Sequence, residues 1–170
     1  VPFADVGELH IISGKPGNGK TGLMSQLEAA TLGQQFGNTM ARNVGHIVRD
    51  EKGDIVTGED NRPLFQVRDT RILHIDTEQG KDDTIAFKNR VISMSGISKD
   101  KAKEHFFILR LRDTELAQDR WKKILKAIWQ LQPTDIFLHG MLDIVEDYND
   151  QKECQPIIRK CMMAATFYDT

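Results

Sequence analysis

A glycine-rich stretch near the start of the chain carries the clearest chemical signal. Residues 13–24 read SGKPGNGKTGLM and contain G-x-x-x-x-G-K-[ST], the Walker A pattern of phosphate-binding loops. Glycines allow backbone turns that other residues resist, so that successive N–H groups can face a phosphate where a helix begins. The alternative is a glycine-rich turn that opens a helix and binds nothing.

The pattern predicts a role for individual side chains. Lys20 is expected to reach the β- and γ-phosphates and to assist catalysis, and the Thr21 hydroxyl to ligate Mg²⁺. ATP and Mg²⁺ are therefore the expected cofactors. The expected nucleotide-binding residues are Gly14, Lys15, Pro16, Gly17, Asn18, Gly19, Lys20, Thr21 and Gly22.

Two carboxylates follow the next apolar run along the chain. RILHIDTEQ, residues 71–79, predicts a strand on which Asp76 and Glu78 share a face, because side chains alternate. A carboxylate at the C-terminal edge of a sheet, beside a phosphate loop, could orient a water for attack on the γ-phosphate. The alternative is a pair of strand-end acids that face solvent.

The segments that must hold these residues alternate between strands and helices. Strands are predicted at 8–13, 71–79, 105–112 and 135–140, and helices at about 20–36, 82–96, 114–132 and 154–168. Leu23, Leu27 and Ala30 should share one face of the first helix. Residues 39–69 predict a hairpin-like excursion with its turn at DEKGD.

This alternation predicts an α/β fold with a mostly parallel sheet and helices on both faces. We expect one domain over residues 1–170. The chain stops after a helix, where another strand would follow, so we expect the sheet to continue beyond residue 170.

Taken together, GELHIISGKPGNGKT and ILHIDTEQ resemble the RecA-like ATPases, in which a strand ending in I-D-x-E carries the catalytic glutamate. The wider arrangement is similar to the RepA-like replicative helicases and to ATPases of bacterial mobilisable elements. The resemblance covers most of the chain outside residues 39–69.

The resemblance implies a three-layer P-loop NTPase fold in which Glu78 polarises the attacking water. It implies ATP hydrolysis in a helicase or loader that acts in DNA replication or in mobilisation of a mobile element. It also implies DNA as a partner and a ring-type homo-oligomer that binds ATP between subunits.

One part of the family pattern departs. In the resembling proteins an apolar strand ends in the Walker B aspartate, and the matching stretch here, DIFLHGMLDIVED, has His139 at that position. An imidazole is a poor partner for Mg²⁺, which prefers oxygen. Asp143 or Asp76 could take over the metal contact, the site could hydrolyse slowly, or the alignment could be shifted. A packed histidine at a strand end is the structural alternative.

Composition excludes some functions and leaves others open. The net charge of −2 provides no basic footprint for nucleic acid, and no stretch reaches the roughly 20 apolar residues of a membrane span. Cys154 and Cys161 are expected to remain thiols in a reducing, cytoplasmic setting. Arg110 and Arg112, or the lysines of the 114–132 helix, could touch nucleic acid or a neighbouring subunit, although a solvated surface is the simpler reading.

Two other functional classes stay open. A small-molecule P-loop kinase would need a second substrate pocket and a lid, for which residues 39–69 are the candidate. A nucleotide-dependent binding module would bind ATP and hydrolyse it weakly because of His139.

Overall fold

The computed structural model describes residues 10–12, 17–33, 46–58, 65–66, 70–140, 144, 155–156 and 158–163. The helices are α1 (Lys20–Gly33), α2 (Lys81–Ser95), α3 (Lys99–His105) and α4 (Ala117–Leu131). The strands are β1 (His46–Ile47), β2 (Phe65–Gln66), β3 (Ile72–Asp76), β4 (Phe106–Arg110) and β5 (Asp135–His139). Residues 155–156 and 158–163 are also helical, within the segment predicted as the last helix.

Three strands form a parallel sheet with β3 in the centre and β4 and β5 on either side. The strands end in register, so that Asp76 of β3 pairs with Arg110 of β4 and with His139 of β5. Parallel neighbours require crossover connections, which α2 with α3 and then α4 provide. The α/β class predicted from the alternation of segments is confirmed.

Side chains from the two faces of the sheet enter two separate cores. One core joins β3 and β4 to α1 and α2, and its buried members are Ala29, Leu32, Ile72, Phe87, Val91 and Phe106. The other core joins the opposite face to α4, and its buried members are Leu73, Ile75, Leu111, Ile124, Ile128 and Ile144. Because neighbouring residues of a strand point to opposite faces, α1 and α2 lie on one side and α4 on the other.

The first predicted strand is wrong where the structure describes it. Residues 10–12 have no regular secondary structure, and the Ile11 side chain is 60% exposed. An apolar run predicts a buried strand only if its backbone finds a pairing neighbour, and none of the described strands pairs with these residues. Residues 8, 9 and 13 lie outside the described part.

The face assigned to α1 also needs correction. Leu23 is 44% exposed, whereas the buried positions of the helix are Ser25, Glu28, Ala29, Ala30, Leu32 and Gly33. The buried face of the helix therefore combines small residues with Leu32 and one acid, and Gly33 allows its backbone to approach α2 closely. The hydrophobic pattern of the sequence alone instead predicts the face that carries Leu23, Leu27 and Ala30.

The described parts of the segment between the first helix and β3 contain antiparallel pairing and a turn. β1 and β2 pair antiparallel, and Arg49 bridges to Ile55 around the turn. The carboxylate of Asp50 accepts hydrogen bonds of 2.9 Å from the N–H groups of Lys52 and Asp54, and Gly53 has a φ of +85°. The aspartate and the glycine of DEKGD therefore make the predicted turn.

The remaining helices agree with their sequence signals in most respects. α2 ends at Gly96, which adopts the left-handed conformation with a φ of 73°. The short helix α3 was not predicted, since Ala102 is its one buried residue; Ser98 caps it by accepting the N–H of Lys101. In the described ranges, none of the helices combines the length and apolar character needed to cross a membrane.

A close contact between α1 and α2 sets the spacing on this side of the sheet. A β-carbon placed on Gly33 would overlap the backbone of Ser95, the last residue of α2. Gly33 and Ser95 are both buried. The two helices can therefore approach to this distance only with a glycine at position 33.

We predict that Gly33→Ala destabilises the protein although alanine is the better helix former. Forcing a methyl group into a packed contact costs about 1–3 kcal/mol, which outweighs the roughly 1 kcal/mol gained in helix propensity. Urea denaturation measures the difference. The matched control is Gly22→Ala in the same helix, where a β-carbon would meet nothing within 4 Å, and which should be neutral or stabilising. Equal stability changes for the two variants would contradict the proposed contact.

Candidate functional site

Two contacts determine the direction of α1 across the sheet. Gly33 at its end lies against Ser95, and α2 runs from the C-terminal end of β3 back to the other edge. Earlier in α1, Glu28 contacts His74 in the middle of β3. The helix is therefore antiparallel to β3, and its first residues point toward the C-terminal edge of the sheet.

The positions of Thr21 and Glu78, measured parallel to the strands, agree with this direction of α1. Counting from the Glu28–His74 contact, Thr21 lies about 10 Å along the helix at 1.5 Å per residue. Asp76, the last residue of β3, lies about 7 Å along the strand at 3.3 Å per residue, and Glu78 follows on the bend beyond it. The start of α1 and the region after β3 therefore reach the same edge, where parallel α/β sheets commonly bind their ligands.

The described part of the phosphate loop has the backbone that its glycines predict. Gly17 and Gly19 adopt positive φ angles of 82° and 77°, which only glycine adopts readily. The carbonyl of Gly19 accepts the N–H of Leu23 at 3.0 Å, so α1 begins directly after the loop. Among the described residues, no atom lies within 4 Å of a β-carbon placed on either glycine. The described surroundings therefore leave room beside this turn of the backbone.

The residues of this loop differ in exposure. Gly17, Asn18, Gly19 and Gly22 are exposed, and Lys20 and Thr21 are partly buried. Gly14, Lys15 and Pro16 were also predicted to bind the nucleotide, and they lie outside the described residues.

Asp76 does not share a face with Glu78. Its carboxylate is fully buried and accepts hydrogen bonds from the N–H groups of Glu78 (3.1 Å) and Gln79 (2.9 Å) and from the hydroxyl of Thr84 (2.9 Å). These bonds end the strand at Asp76 and turn the chain, whereas the predicted alternation assumed that the strand continues. Glu78 therefore lies on the bend and is exposed.

His139 occupies the end of β5, beside Asp76. Its Nδ1 lies 4.0 Å from Oδ1 of Asp76, and its side chain is 11% exposed. Within the described residues this Nδ1 has no hydrogen-bond partner although it is buried. The position predicted for the Walker B aspartate thus lies next to a carboxylate, and Asp143, the other candidate, lies outside the described part.

A buried acid–histidine pair beneath α1 was missed by the sequence analysis. Nδ1 of His74 and Oε1 of Glu28 share a hydrogen bond of 2.7 Å, and both side chains are almost completely buried. The His74 ring also packs on Phe87, with centroids 4.4 Å apart. A histidine inside the apolar run ILHID was the available signal, because a buried imidazole needs a partner.

Burial changes the acid–base behaviour of Glu28. Desolvation raises the pKa of this carboxyl, the contact with His74 lowers it to a smaller extent, and the neighbouring Asp76 adds the smallest effect, a rise. Oε2 of Glu28 has no hydrogen-bond partner within the described residues. The ionised form is therefore more costly in the folded than in the unfolded chain.

The expected metal ligands do not form a protein-held metal site within the described residues. No group of three His, Cys, Asp or Glu side chains within them could hold a metal. Asp76 uses both carboxylate oxygens in hydrogen bonds, and His139 presents nitrogen, which Mg²⁺ disfavours. Of the expected metal ligands, Thr21 is the one whose described environment leaves the role open.

The cysteine prediction holds where it can be compared. Cys161 is a free thiol and packs against the core on the α4 side of the sheet. Burial raises the pKa of this thiol, which makes it less reactive. Cys154 lies outside the described residues.

We predict that Glu28→Gln removes a pH-dependent penalty on folding. Because the folded-state pKa of Glu28 is raised, wild-type stability falls as the pH rises above the ordinary glutamate pKa of about 4.3, until the folded-state pKa is passed. The stability of the variant relative to wild type should therefore grow with pH above about 4.3. Urea denaturation between pH 4.5 and 8 measures this difference.

The control for this experiment is Glu104→Gln, which changes an exposed glutamate of α3. Its stability relative to wild type should not vary with pH in the same way. A Glu28→Gln difference that stays constant across the range would show that Glu28 ionises equally well in both states.

Comparison of the chain with protein-family models, curated proteins and solved structures finds no match to any of them.

Proposed function

We propose that this chain is the ATP-binding and ATP-hydrolysing core of a RecA-like P-loop protein with a three-layer fold. It would act as a helicase or loader in DNA replication or in mobilisation of a mobile element. The observation that carries the ATP part is the geometry of Gly17, Gly19 and α1. Two left-handed glycines lead into a helix whose first turn reaches the C-terminal edge of a parallel sheet.

This geometry supports recognition of a polyphosphate. The first N–H groups of a helix have no partner within the helix, and its dipole favours an anion at that end. Among the described residues, no atom lies within 4 Å of a β-carbon placed on Gly17 or Gly19 that would obstruct such a ligand. Lys20, the first residue of α1, would add a positive charge beside the β- and γ-phosphates.

The proposed hydrolysis assigns complementary tasks to Glu78 and Lys20. The exposed carboxylate of Glu78 would orient a water and accept its proton as the water attacks the γ-phosphorus. Lys20 and the backbone of the loop would stabilise the negative charge that develops on the phosphate oxygens. The antiparallel packing of α1 on β3 supports this assignment because it brings both groups to one edge.

Mg²⁺ would enter this site together with the nucleotide. When bound, it neutralises phosphate charge. Thr21 would contribute a hydroxyl ligand from the protein, whereas both carboxylate oxygens of Asp76 already accept hydrogen bonds.

The DNA and ring parts of the proposal draw on the resemblance. Two of the basic side chains considered for DNA contact are paired with acids. Arg110 contacts Asp113 at 2.7 Å, and Lys122 contacts Asp119 at 3.0 Å. Stimulation of ATP hydrolysis by DNA would support a motor, whereas phosphate transfer only in the presence of an added small-molecule acceptor would support a kinase.

A second candidate function is a nucleotide-dependent binding module that hydrolyses ATP weakly. The observation that favours it is the buried imidazole of His139 at the position expected for an aspartate. Tight ATP binding with negligible phosphate release in the full chain would support this candidate over the motor.

We predict that Lys20→Ala weakens ATP binding by roughly ten- to a hundredfold. A charge-assisted hydrogen bond contributes about 1.5–3 kcal/mol, which corresponds to this loss of affinity. Titration of the full chain with ATP measures it. The control is Lys99→Ala at the first position of α3, which should leave affinity unchanged. Unchanged affinity in Lys20→Ala would remove the phosphate-loop assignment.

We predict that His139→Asp makes the stability of the protein depend on Mg²⁺. A second buried carboxylate beside Asp76 would repel it, and a divalent cation would relieve the repulsion. Mg²⁺ at ten times its Kd should stabilise the variant by about 1.4 kcal/mol, which raises Tm by roughly 3–5 °C.

Thermal unfolding with and without Mg²⁺ tests this prediction, with His139→Asn as the uncharged control of similar shape. Turnover of Mg²⁺·ATP should also rise in His139→Asp if this position belongs to the metal site. A variant that responds to Mg²⁺ no more than His139→Asn does would show that His139 is a packing residue.

A further inference from the structure

Gly140 lies directly against the side chain of Glu78. Its φ is +87°, and a β-carbon at this position would lie 2.8 Å from Cγ and 3.1 Å from Oε1 of Glu78. The same β-carbon would overlap the hydroxyl oxygen of Thr77. Both the backbone conformation and the available space therefore require glycine here.

Thr77 ties this glycine to the end of β3. Its hydroxyl lies 3.0 Å from the carbonyl oxygen of His139 and 2.9 Å from that of Gly140, and can donate to either. Its N–H donates to the carbonyl of His139 at 3.2 Å. Thr77, the residue before Glu78, is thus hydrogen-bonded to His139 and Gly140, and Gly140 lies against the Glu78 side chain.

The carboxylate of Asp76 also fixes the backbone of Glu78, because it accepts the Glu78 N–H at 3.1 Å. The backbone of Glu78 is therefore fixed by Asp76 and Thr77, while its side chain is limited by Gly140. An exposed glutamate otherwise retains several rotamers, and the backbone of Gly140 excludes those that would enter the space it occupies.

We propose that Gly140 and Thr77 are positioning residues that set the direction of the Glu78 carboxylate. This inference rests on the proposed function, since it assigns the orientation of the group that would act on water. Rates of positioned reactions fall by about a hundredfold for a displacement of roughly 1 Å. A methyl group at position 140 must move Glu78 or Thr77, so its effect should appear in turnover and not in nucleotide affinity.

The test measures ATP affinity by titration and kcat by phosphate release in the full chain. Gly140→Ala should lower kcat on the order of a hundredfold, close to the level of Glu78→Gln, and keep Kd within about threefold. Thr77→Val, which removes the hydroxyl but keeps the shape, should lower kcat at unchanged Kd. Thr77→Ser restores the hydroxyl and should retain kcat within about threefold of wild type.

Gly53→Ala is the matched control for backbone strain. Gly53 has a similar φ of +85°, but a β-carbon there would meet nothing within 4 Å. This variant should keep both kcat and Kd. Equal kcat in wild type and Gly140→Ala, or equal losses in Thr77→Ser and Thr77→Val, would overturn the proposal. If Gly140→Ala does not fold, the two Thr77 variants decide.

A measurement that needs no ATP distinguishes failure of this inference from failure of the proposed function. Hydrogen exchange in the nucleotide-free protein reports whether Asp76 holds the amides of Glu78 and Gln79. Protection of these amides should fall at least roughly tenfold in Gly140→Ala and Thr77→Val and persist in Thr77→Ser and Gly53→Ala. Unchanged protection in Gly140→Ala would overturn the positioning role. Absence of ATP binding in wild type would instead overturn the proposed function.

Discussion

The buried carboxylate of Asp76 organises the edge of the sheet on which the candidate site depends. It accepts the N–H groups of Glu78 and Gln79 and the hydroxyl of Thr84, while its own backbone carbonyl accepts the N–H of Leu111 at 2.7 Å. One residue therefore ends β3, holds the first turn of α2 and anchors the chain that leaves β4. Removing this carboxylate would take away the acceptor that the N–H groups of Glu78 and Gln79 share and would release the turn that follows β3.

The sheet face beneath α1 changes character along the strands. Apolar Ile72 and Phe106 pair on it at the strand starts, His74 and Phe137 pair in the middle, and Asp76 and His139 pair at the C-terminal ends. A polar interior of this kind lowers stability relative to an apolar one, because each group gives up water for incomplete pairing. Its location next to the proposed phosphate loop agrees with the general clustering of such groups at functional sites.

The contacts of α1 and of Glu78 with the sheet fix the position of the glycine-rich loop relative to Glu78. α1 is held by Gly33 against Ser95 and by Glu28 against His74. Glu78 is held by the turn after Asp76 and lies against Gly140. Since both groups are attached to β3 and its immediate neighbours, their separation is set by the sheet and the packing of α1, and not by a long flexible loop. Such support is what a hydrolytic site needs, and a binding module that changes shape with nucleotide could use the same contacts.

The sequence alone determined the features that depend on local chemistry. Positive φ at Gly17 and Gly19, the turn at Asp50 and Gly53 and the end of α2 at Gly96 follow from what glycine and aspartate permit in any protein. The parallel sheet followed from the alternation of segments, because parallel strands require crossovers. These features need no knowledge of distant residues.

Only the tertiary structure decided which side chains meet. Periodicity placed Leu23 on the same face as Ala30, but close packing against α2 and β3 buried Glu28 and left Leu23 exposed. Alternation put Asp76 and Glu78 on one face, but the hydrogen bonds of Asp76 to the following backbone ended the strand. The contact of Gly140 with Glu78 joins residues far apart in the chain. Such pairings depend on the docking of whole elements, whose energies are sums over many contacts that no local pattern contains.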